Sequence, residues 1–341
     1  MTAGGRGTDV HLMTPKPKLS MYWSSSCGGC EIALVNLHEK LLDVDRAFDF
    51  VFCPCLLDTK KDYVESLPDG GIAITFFNGA IRTSENLEMA RLLRSKSEVM
   101  VAFGACSGQG GIPALSNLHG RERHMRTNYL DSPSLDNPSG IRPAPRTVVP
   151  EGELELPEFF DTVLTLEQVV PVDYFIPGCP PESHQIWAVI EAVIAGKPLP
   201  PKGSTLGGGR STVCEECQRV KENKKISRFH RTYEIVPDTV RCLLEQGIVC
   251  MGIATMEGCG ALCPKVNMPC TGCYGPPEGV VDQGSKMLAA LGSVLDLGEY
   301  KGMSERQVAD KADAIVATIP DLAGTVYKFS LGSCALKRRD Q

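Results

Sequence analysis

Two periods of apolar residues alternate through the first two hundred positions. Leu19–Trp23, Phe48–Cys53, Ile72–Phe77, Val99–Phe103 and Val172–Ile176 are short, almost unbroken apolar runs. Such runs predict parallel strands covered on both faces. Between them the period lengthens. Glu31–Leu42 puts Leu34, Leu37, His38 and Leu41 on one helical face, with Glu31 in the first turn, where a helix dipole favours an acid. The Pro68-Asp69-Gly70-Gly71 turn precedes the third strand. Ser84–Lys96 reads as a helix with Ser84 as N-cap, Glu85 and Glu88 early, and Arg91, Arg94 and Lys96 late. Glu182–Ala195 is a further helix, closed by Gly196 and Pro198. Strand and helix in alternation predict an α/β fold built on a doubly wound parallel sheet.

Elsewhere the pattern thins. Residues 107–170 are rich in Gly, Pro and charge and read as a long loop, and 198–209 (PLPPKGSTLGGG) reads as a linker. Asp238–Gln246 and Gln283–Leu295 predict two short helices. Three segments result. Residues 1–17 form a disordered leader, 18–198 a flavodoxin-like doubly wound domain, and 199–341 a second, irregular domain with little core per residue. Metal clusters are expected to organise that second domain.

Composition narrows the function. A net charge of −6 argues against nucleic acid as the main partner. No uncharged apolar stretch reaches the roughly 18 residues of a membrane span. The first twenty residues carry neither an apolar run nor a twin arginine, so no export signal is read and a cytoplasmic location is expected. In that compartment fifteen cysteines are thiols rather than disulfides, and thiols in such number point to metal.

Their spacing is the strongest signal in the chain. Eight fall between residues 214 and 273, as Cys214-x-x-Cys217, Cys242, Cys250, Cys259, Cys263 and Cys270-x-x-Cys273. Eight thiolates make two four-thiolate sites. Cys27 and Cys30 follow the first predicted strand, Cys106 the fourth and Cys179 the fifth. The carboxyl ends of parallel strands lie on one rim, where such folds place ligands, so these residues group as a third site. Zinc is the plain alternative for any Cys-x-x-Cys pair. Iron–sulfur is favoured because no histidine stands at ligand spacing and the rim site draws on loops from residues 27 to 179. The run Cys259-x3-Cys263-x6-Cys270-x2-Cys273, with Pro264 after one ligand, is also close to ferredoxin spacing. Glycines 28, 29, 104, 178, 260 and 272 allow close backbone approach to a bulky cluster. Pro180, Pro181, Pro264 and Pro269 cannot donate to its sulfurs.

Cys27-Gly-Gly-Cys30-Glu31, Gly104-Ala-Cys106 with Gly110-Gly111, and Pro177-Gly178-Cys179-Pro180-Pro181 together resemble the small subunit of nickel–iron hydrogenases. The small cluster-carrying subunit of respiratory complex I is similar in its sheet domain but lacks the block from Cys214 to Cys273. That block resembles the three-cluster hydrogenase type. The phrase Cys242-Leu-Leu-Glu-Gln-Gly and the lack of an export signal resemble the cytoplasmic group, in particular the gamma subunits of the F420-non-reducing and F420-reducing hydrogenases. The likeness runs from about residue 18 to 280. It implies three [4Fe-4S] clusters: a proximal one on Cys27, Cys30, Cys106 and Cys179, a distal one on Cys214, Cys217, Cys242 and Cys250, and a medial one on Cys259, Cys263, Cys270 and Cys273. Cys250 and Cys259 could exchange between the last two. It also implies a large-subunit partner that holds the nickel–iron site. A downstream iron–sulfur or flavin subunit would take the electrons, with heterodisulfide reductase as the candidate. Exported relatives carry histidine where Cys214 stands. A thiolate there lowers the potential and suits a low-potential acceptor. The rivals are an F420-reducing or sulfur-reducing hydrogenase subunit and a zinc-stabilised scaffold.

Weaker features add little. Glu31 beside the proximal group reads chiefly as a helix-dipole carboxylate, and Asp58 near the rim is a secondary ligand candidate. Cys53 and Cys55 are surplus and read as small packing residues. Cys334 lies in a tail carrying Lys337, Arg338 and Arg339 that reads as solvated. His38, His119, His124, His184 and His230 are scattered as packing or surface residues. Gly104–Gly111 lacks the Gly-Lys-Ser/Thr of a phosphate loop.

Overall fold

A computed structural model describes residues 15–299 and 302–336. Residues 1–14 of the expected leader, and Lys337, Arg338 and Arg339, lie outside the described residues. The strands, in chain order, are β1 (Lys18–Trp23), β2 (Asp49–Phe52), β3 (Ile72–Asn78), β4 (Ile81–Thr83), β5 (Ser97–Phe103), β6 (Arg146–Val149), β7 (Gly152–Glu155), β8 (Phe159–Leu164), β9 (Tyr174–Ile176) and β10 (Ser204–Thr205). Six of them form one sheet in the order β10-β9-β5-β3-β1-β2, parallel at every pairing. From β9 to β2 this is the doubly wound order expected from the sequence.

Alternation along the strands divides the apolar residues between two faces. Leu19, Met21, Phe76, Val101, Phe103 and Ile176 pack with Leu34 and Leu37 and with Ile186 and Ile190 of the helix Ser183–Ile194. Tyr22, Phe77, Met100 and Ala102 pack on the other face with Met89, Ala90 and Leu93 of the helix Ser84–Lys96. A third apolar cluster joins Val213, Ile226, Phe229, Met251, Met287 and Leu291 to Ala80, Ala114 and Val163 from earlier in the chain. The C-terminal segment then returns to the sheet rim: Gly111 donates to the Phe329 carbonyl at 3.1 Å, and Gln168 to that of Gly332 at 3.0 Å.

The structure corrects several local expectations. The helix expected over Glu31–Leu42 is broken into Gly29–Val35, a 3-10 turn at His38–Lys40 and Leu41–Ala47. His38 sits at φ +53, which interrupts the helical path, yet Leu34, Leu37 and Val44 still reach one core. Thr83, not Ser84, caps the long helix: its hydroxyl accepts from the Asn86 amide at 3.3 Å while Asn86 Oδ1 accepts from the Thr83 amide at 3.1 Å. Ser84 instead accepts from the Glu158 amide. The expected loop 107–170 contains the helix Arg121–Arg126, the β6–β7 hairpin, and β8 paired antiparallel to β4. The expected linker holds β10, which extends the sheet. Of Asp238–Gln246 only Leu244–Gln246 is helical, as a 3-10 turn. The Asp238 carboxylate takes the amides of Val240 and Arg241, a local bond that competes with a helix. Gln283–Val294 forms as expected, capped by Asp282. Glu305–Val316 and Leu322–Val326 are helices that the apolar pattern did not reveal.

One buried ion pair secures the sheet edge. Asp173 receives Arg94 and Lys202 at 2.6 Å each and the Met100 amide at 2.8 Å. Burial pushes its carboxyl up, but these donors outweigh burial and leave it below the usual carboxylate range. A depressed carboxyl stabilises the fold above its unfolded pKa of about 3.9 and loses that contribution as pH falls through its folded value. Asp173→Ala is therefore expected to lower stability by about 2–3 kcal/mol near neutral pH. In urea titrations the difference from wild type should shrink below about pH 4.

Candidate metal centres

The rim of the sheet gathers the first thiol group. β1 ends in a turn that presents Cys27, and Cys30 lies in the opening turn of the helix Gly29–Val35. Cys106 stands in the short helix Ala105–Gln109 directly beyond β5, and Cys179 follows β9. Two main-chain bonds at 2.8 Å, Gly104 to the Ile176 carbonyl and Ala105 to that of Gly178, lock the last two loops together. The Cys30 thiol is driven far up, first by burial and then by Cys106, Glu31, Cys179 and Cys27. Cys106 is pushed up to about 12 by burial, with Cys179 and Cys27 adding to it. All four thiols thus share one electrostatic neighbourhood. Glycines leave room for their sulfurs. A Cβ on Gly104, at φ +87, would lie 2.5 Å from Cys30 Sγ, and one on Gly111, at φ +55, would lie 2.6 Å from Cys106 Sγ.

A second group lines one cavity: Cys214 and Cys217 around the turn Val213–Glu216, with Cys242 and Cys250 from two later loops. Arg219 and Lys221 line it too. Burial pushes Cys250 up to about 12. The third group is Cys259, Cys263, Cys270 and Cys273. Cys273 is pushed up to about 12 by burial and also interacts with Cys259 and Cys263. Cys270 is raised to the same extent, by burial and by Cys273 and Cys259. Cys250 lines the cavity of Cys214, Cys217 and Cys242 but is also raised by Cys270, so it adjoins both groups, while Cys259 neighbours Cys263, Cys270 and Cys273.

The groups adjoin in an order that differs from the sequence. Cys273 faces Cys179 of the rim group. From the same block the Cys270 amide donates to Cys250 Sγ at 3.3 Å. The block 259–273 thus touches both the rim group and the block 214–250.

Burial on this scale keeps the thiols of Cys30, Cys106, Cys250, Cys270 and Cys273 neutral, so only a strongly attracting cation would draw out their protons. Among the described residues no three His, Cys, Asp or Glu side chains converge on a single metal ion. A cubane differs in its demand: each of four irons takes its own thiolate, so the four sulfurs stand apart around it. Grouped thiols, flanking glycines with sulfurs where a Cβ would be, and the absence of competing histidines fit such a cluster.

Neighbouring residues refine the picture. Glu31 is buried, and Asn78 donates to both of its oxygens at 2.8 Å. Burial raises its carboxyl despite that fork. Asp58 is solvated and paired with Lys60 at 2.7 Å. Cys53 is buried with its sulfur 3.5 Å from exposed Cys55, and neither joins a group of four. His124 bonds the Ser116 carbonyl and His230 faces Glu234, outside all three groups. Sequence reading missed Asn78, Arg219 and the pair Gln185–Tyr274. Buried Tyr274 follows Cys273 and donates to Gln185, which in turn donates to the Gly258 carbonyl at 2.9 Å. Only adjacency to cysteines in sequence could have signalled Tyr274 and Arg219. Asn78 and Gln185 carry no such mark.

Comparison with known proteins places this arrangement. Residues 27–193 match the family model described as NADH ubiquinone oxidoreductase, 20 Kd subunit. The chain is 38% identical over 328 residues to the iron–sulfur subunit of the F420-non-reducing hydrogenase of Archaeoglobus profundus, covering 94% of this chain and 98% of that one. The chain belongs to this family of F420-non-reducing hydrogenase subunits. The corresponding F420-non-reducing hydrogenase chain of Methanothermobacter marburgensis is 35% identical, over 94% of this chain and 96% of the relative. A solved NAD+-reducing nickel–iron hydrogenase is 28% identical over 54% of this chain and 96% of that chain, with a TM-score of 0.47. As a member of this family, the protein is a hydrogenase small subunit, an oxidoreductase component that carries electrons through iron–sulfur centres. The scaffold reading and the F420-reducing or sulfur-reducing alternative are not favoured. Among the described residues no helix is long and apolar enough to cross a membrane.

Proposed function

We propose that the chain carries electrons from hydrogen oxidised in a partner large subunit through three [4Fe-4S] clusters to a downstream iron–sulfur or flavin acceptor. When bound, these clusters supply stations that accept and release one electron at a time. Cys27, Cys30, Cys106 and Cys179 hold the proximal station at the rim, in a first domain spanning 18–198. Cys259, Cys263, Cys270 and Cys273 hold the medial one, and Cys214, Cys217, Cys242 and Cys250 the distal one, in a second domain spanning 199–341. The contacts Cys179–Cys273 and Cys270–Cys250 carry this reading, because they chain the three groups end to end. Every cysteine of the twelve is used as a ligand, so the nickel–iron site falls to the large subunit. The thiolate of Cys214, in place of a neutral ligand, favours a low-potential cytoplasmic acceptor, and heterodisulfide reductase is the acceptor we assign.

Anaerobic purification of the natural complex tests the assignment. About twelve irons and as many labile sulfides per chain are expected, since each of three four-thiolate sites takes a four-iron cluster. The co-purifying chains should include a large subunit with two Cys-x-x-Cys pairs and a heterodisulfide reductase component. Two or three zincs in place of iron would overturn the cluster reading. A partner that binds F420 would move the acceptor.

A further inference from the structure

Arg219 occupies an unusual place between two of the thiol groups. It lies two residues after Cys217 and is half-buried. Its guanidinium gives five hydrogen bonds to four acceptors: the Pro264 carbonyl at 3.2 and 3.1 Å, the Asp238 carbonyl at 2.8 Å, the Arg241 carbonyl at 2.9 Å and Asn267 Oδ1 at 2.6 Å. All four acceptors are neutral. Asp238 offers its carbonyl to Arg219 and spends its carboxylate on the Val240 and Arg241 amides and the Arg241 side chain. Asp238 acts on Arg219 through space, but no carboxylate bonds its guanidinium, so the charge is held in a fixed fork of neutral acceptors.

Its acceptors are informative. Pro264 directly follows Cys263, and Arg241 directly precedes Cys242. One side chain thus ties the loops of Cys217, Cys242 and Cys263, which belong to two different groups. Arg219 also lines the cavity formed by Cys214, Cys217, Cys242 and Cys250, as does Lys221. A site of four thiolates is anionic, and a fixed cation beside it favours its more negative, reduced state.

We propose that Arg219 is a positioning residue for electron transfer. It braces the ligand loops of the medial and distal sites together and, with Lys221, raises the potential of the distal one. The inference rests on the cluster reading above. It opposes the effect of Cys214: the extra thiolate pulls the distal potential down, and the two cations pull it back up. Electrons arriving from the medial site then meet an exit that is not too steeply uphill.

The test uses the whole hydrogenase complex, prepared anaerobically with Arg219→Gln, Arg219→Lys and Lys221→Gln, with iron content and redox-titrated EPR as readouts. With full iron, R219Q is expected to cut the reduced-to-oxidised ratio of the distal site about tenfold at fixed potential, a midpoint lowered by about 59 mV for one electron. R219K keeps the charge and should stay within about threefold of wild type, roughly half that shift. K221Q, which none of the described hydrogen bonds ties to a cysteine loop, should lower the midpoint with full iron. R219Q with full iron and a wild-type midpoint overturns the proposal. If R219Q sheds iron, an unmoved midpoint in K221Q overturns it instead. A wild-type complex lacking iron at this site would sink the underlying cluster reading rather than the role of Arg219.

Discussion

Cys106→Ser is expected to strip about four of some twelve irons from the chain and to cut hydrogen-driven dye reduction by at least about 100-fold, the upper range seen even for damage outside the ligand set. Cys106 is buried just past β5, in the loop that is bonded to the loop of Cys179. Its thiol is pushed up to about 12, first by burial. Serine has a similar size, but its hydroxyl is a far weaker acid and iron ligand than a thiol, so the site loses its grip without losing its shape. Activation of hydrogen occurs in the large subunit under this reading, so hydrogen–deuterium exchange by the complex should persist while dye reduction fails. That split separates a cut wire from a dead enzyme. Cys27→Ser, at an exposed position on the same rim, should give the same iron loss with less demand on the core. Cys55→Ser, also exposed but outside the three groups, should leave iron and dye reduction at wild-type values. Full iron in both C106S and C27S would refute the proximal assignment.

The parts of this arrangement that the sequence exposed are those fixed by strand chemistry. Apolar runs of strand length specified β1, β3, β5 and β9, and the rule that ligands sit at the carboxyl ends of parallel strands brought Cys27, Cys106 and Cys179 to one rim. Helix boundaries were harder, since they turn on single local contests. Asn36 and the left-handed His38 end the first helix although its apolar period continues through Leu41. Asp238 binds the amides that a helix would have needed. In the second half the apolar period is weak because cysteine loops, rather than a wide helical face, fill the interior. Helices such as Glu305–Val316 bury only a narrow stripe around Ile315 and are marked mainly by the Ser304–Gln307 capping box. The order of the thiol groups in space was not legible at all. Cys273 meets Cys179 and Cys250 meets Cys270 through loop packing that spacing does not encode.

Glycine residues beside the thiols mark where backbone shape, not ligand identity, decides the site, and Gly104 is the sharpest case. Gly104→Ala is expected to release the proximal irons while leaving the fold in place. Gly104 adopts φ +87 and ψ 165, a region essentially reserved for glycine, where a side chain costs about 1–3 kcal/mol. An alanine Cβ there would also lie 2.5 Å from Cys30 Sγ, closer than any two such atoms can rest. The backbone has little freedom to retreat, since the Gly104 and Ala105 amides are both bonded across to the loop that leads to Cys179. Cys30 must therefore move, and it is buried against Ala33 and Leu34 in the main core. Gly203→Ala supplies the control. It also has a positive φ, +90, but a Cβ there meets nothing within 4 Å. Both variants should lose stability in urea unfolding from the dihedral alone, about 1–3 kcal/mol for G104A. Only G104A should also lose about four irons and the proximal EPR signal, and with them hydrogen-driven dye reduction. If G104A kept its full iron with an unchanged proximal midpoint, close packing of sulfur against this glycine would have no part in building the site. Equal iron loss in G203A would assign the effect to general destabilisation instead.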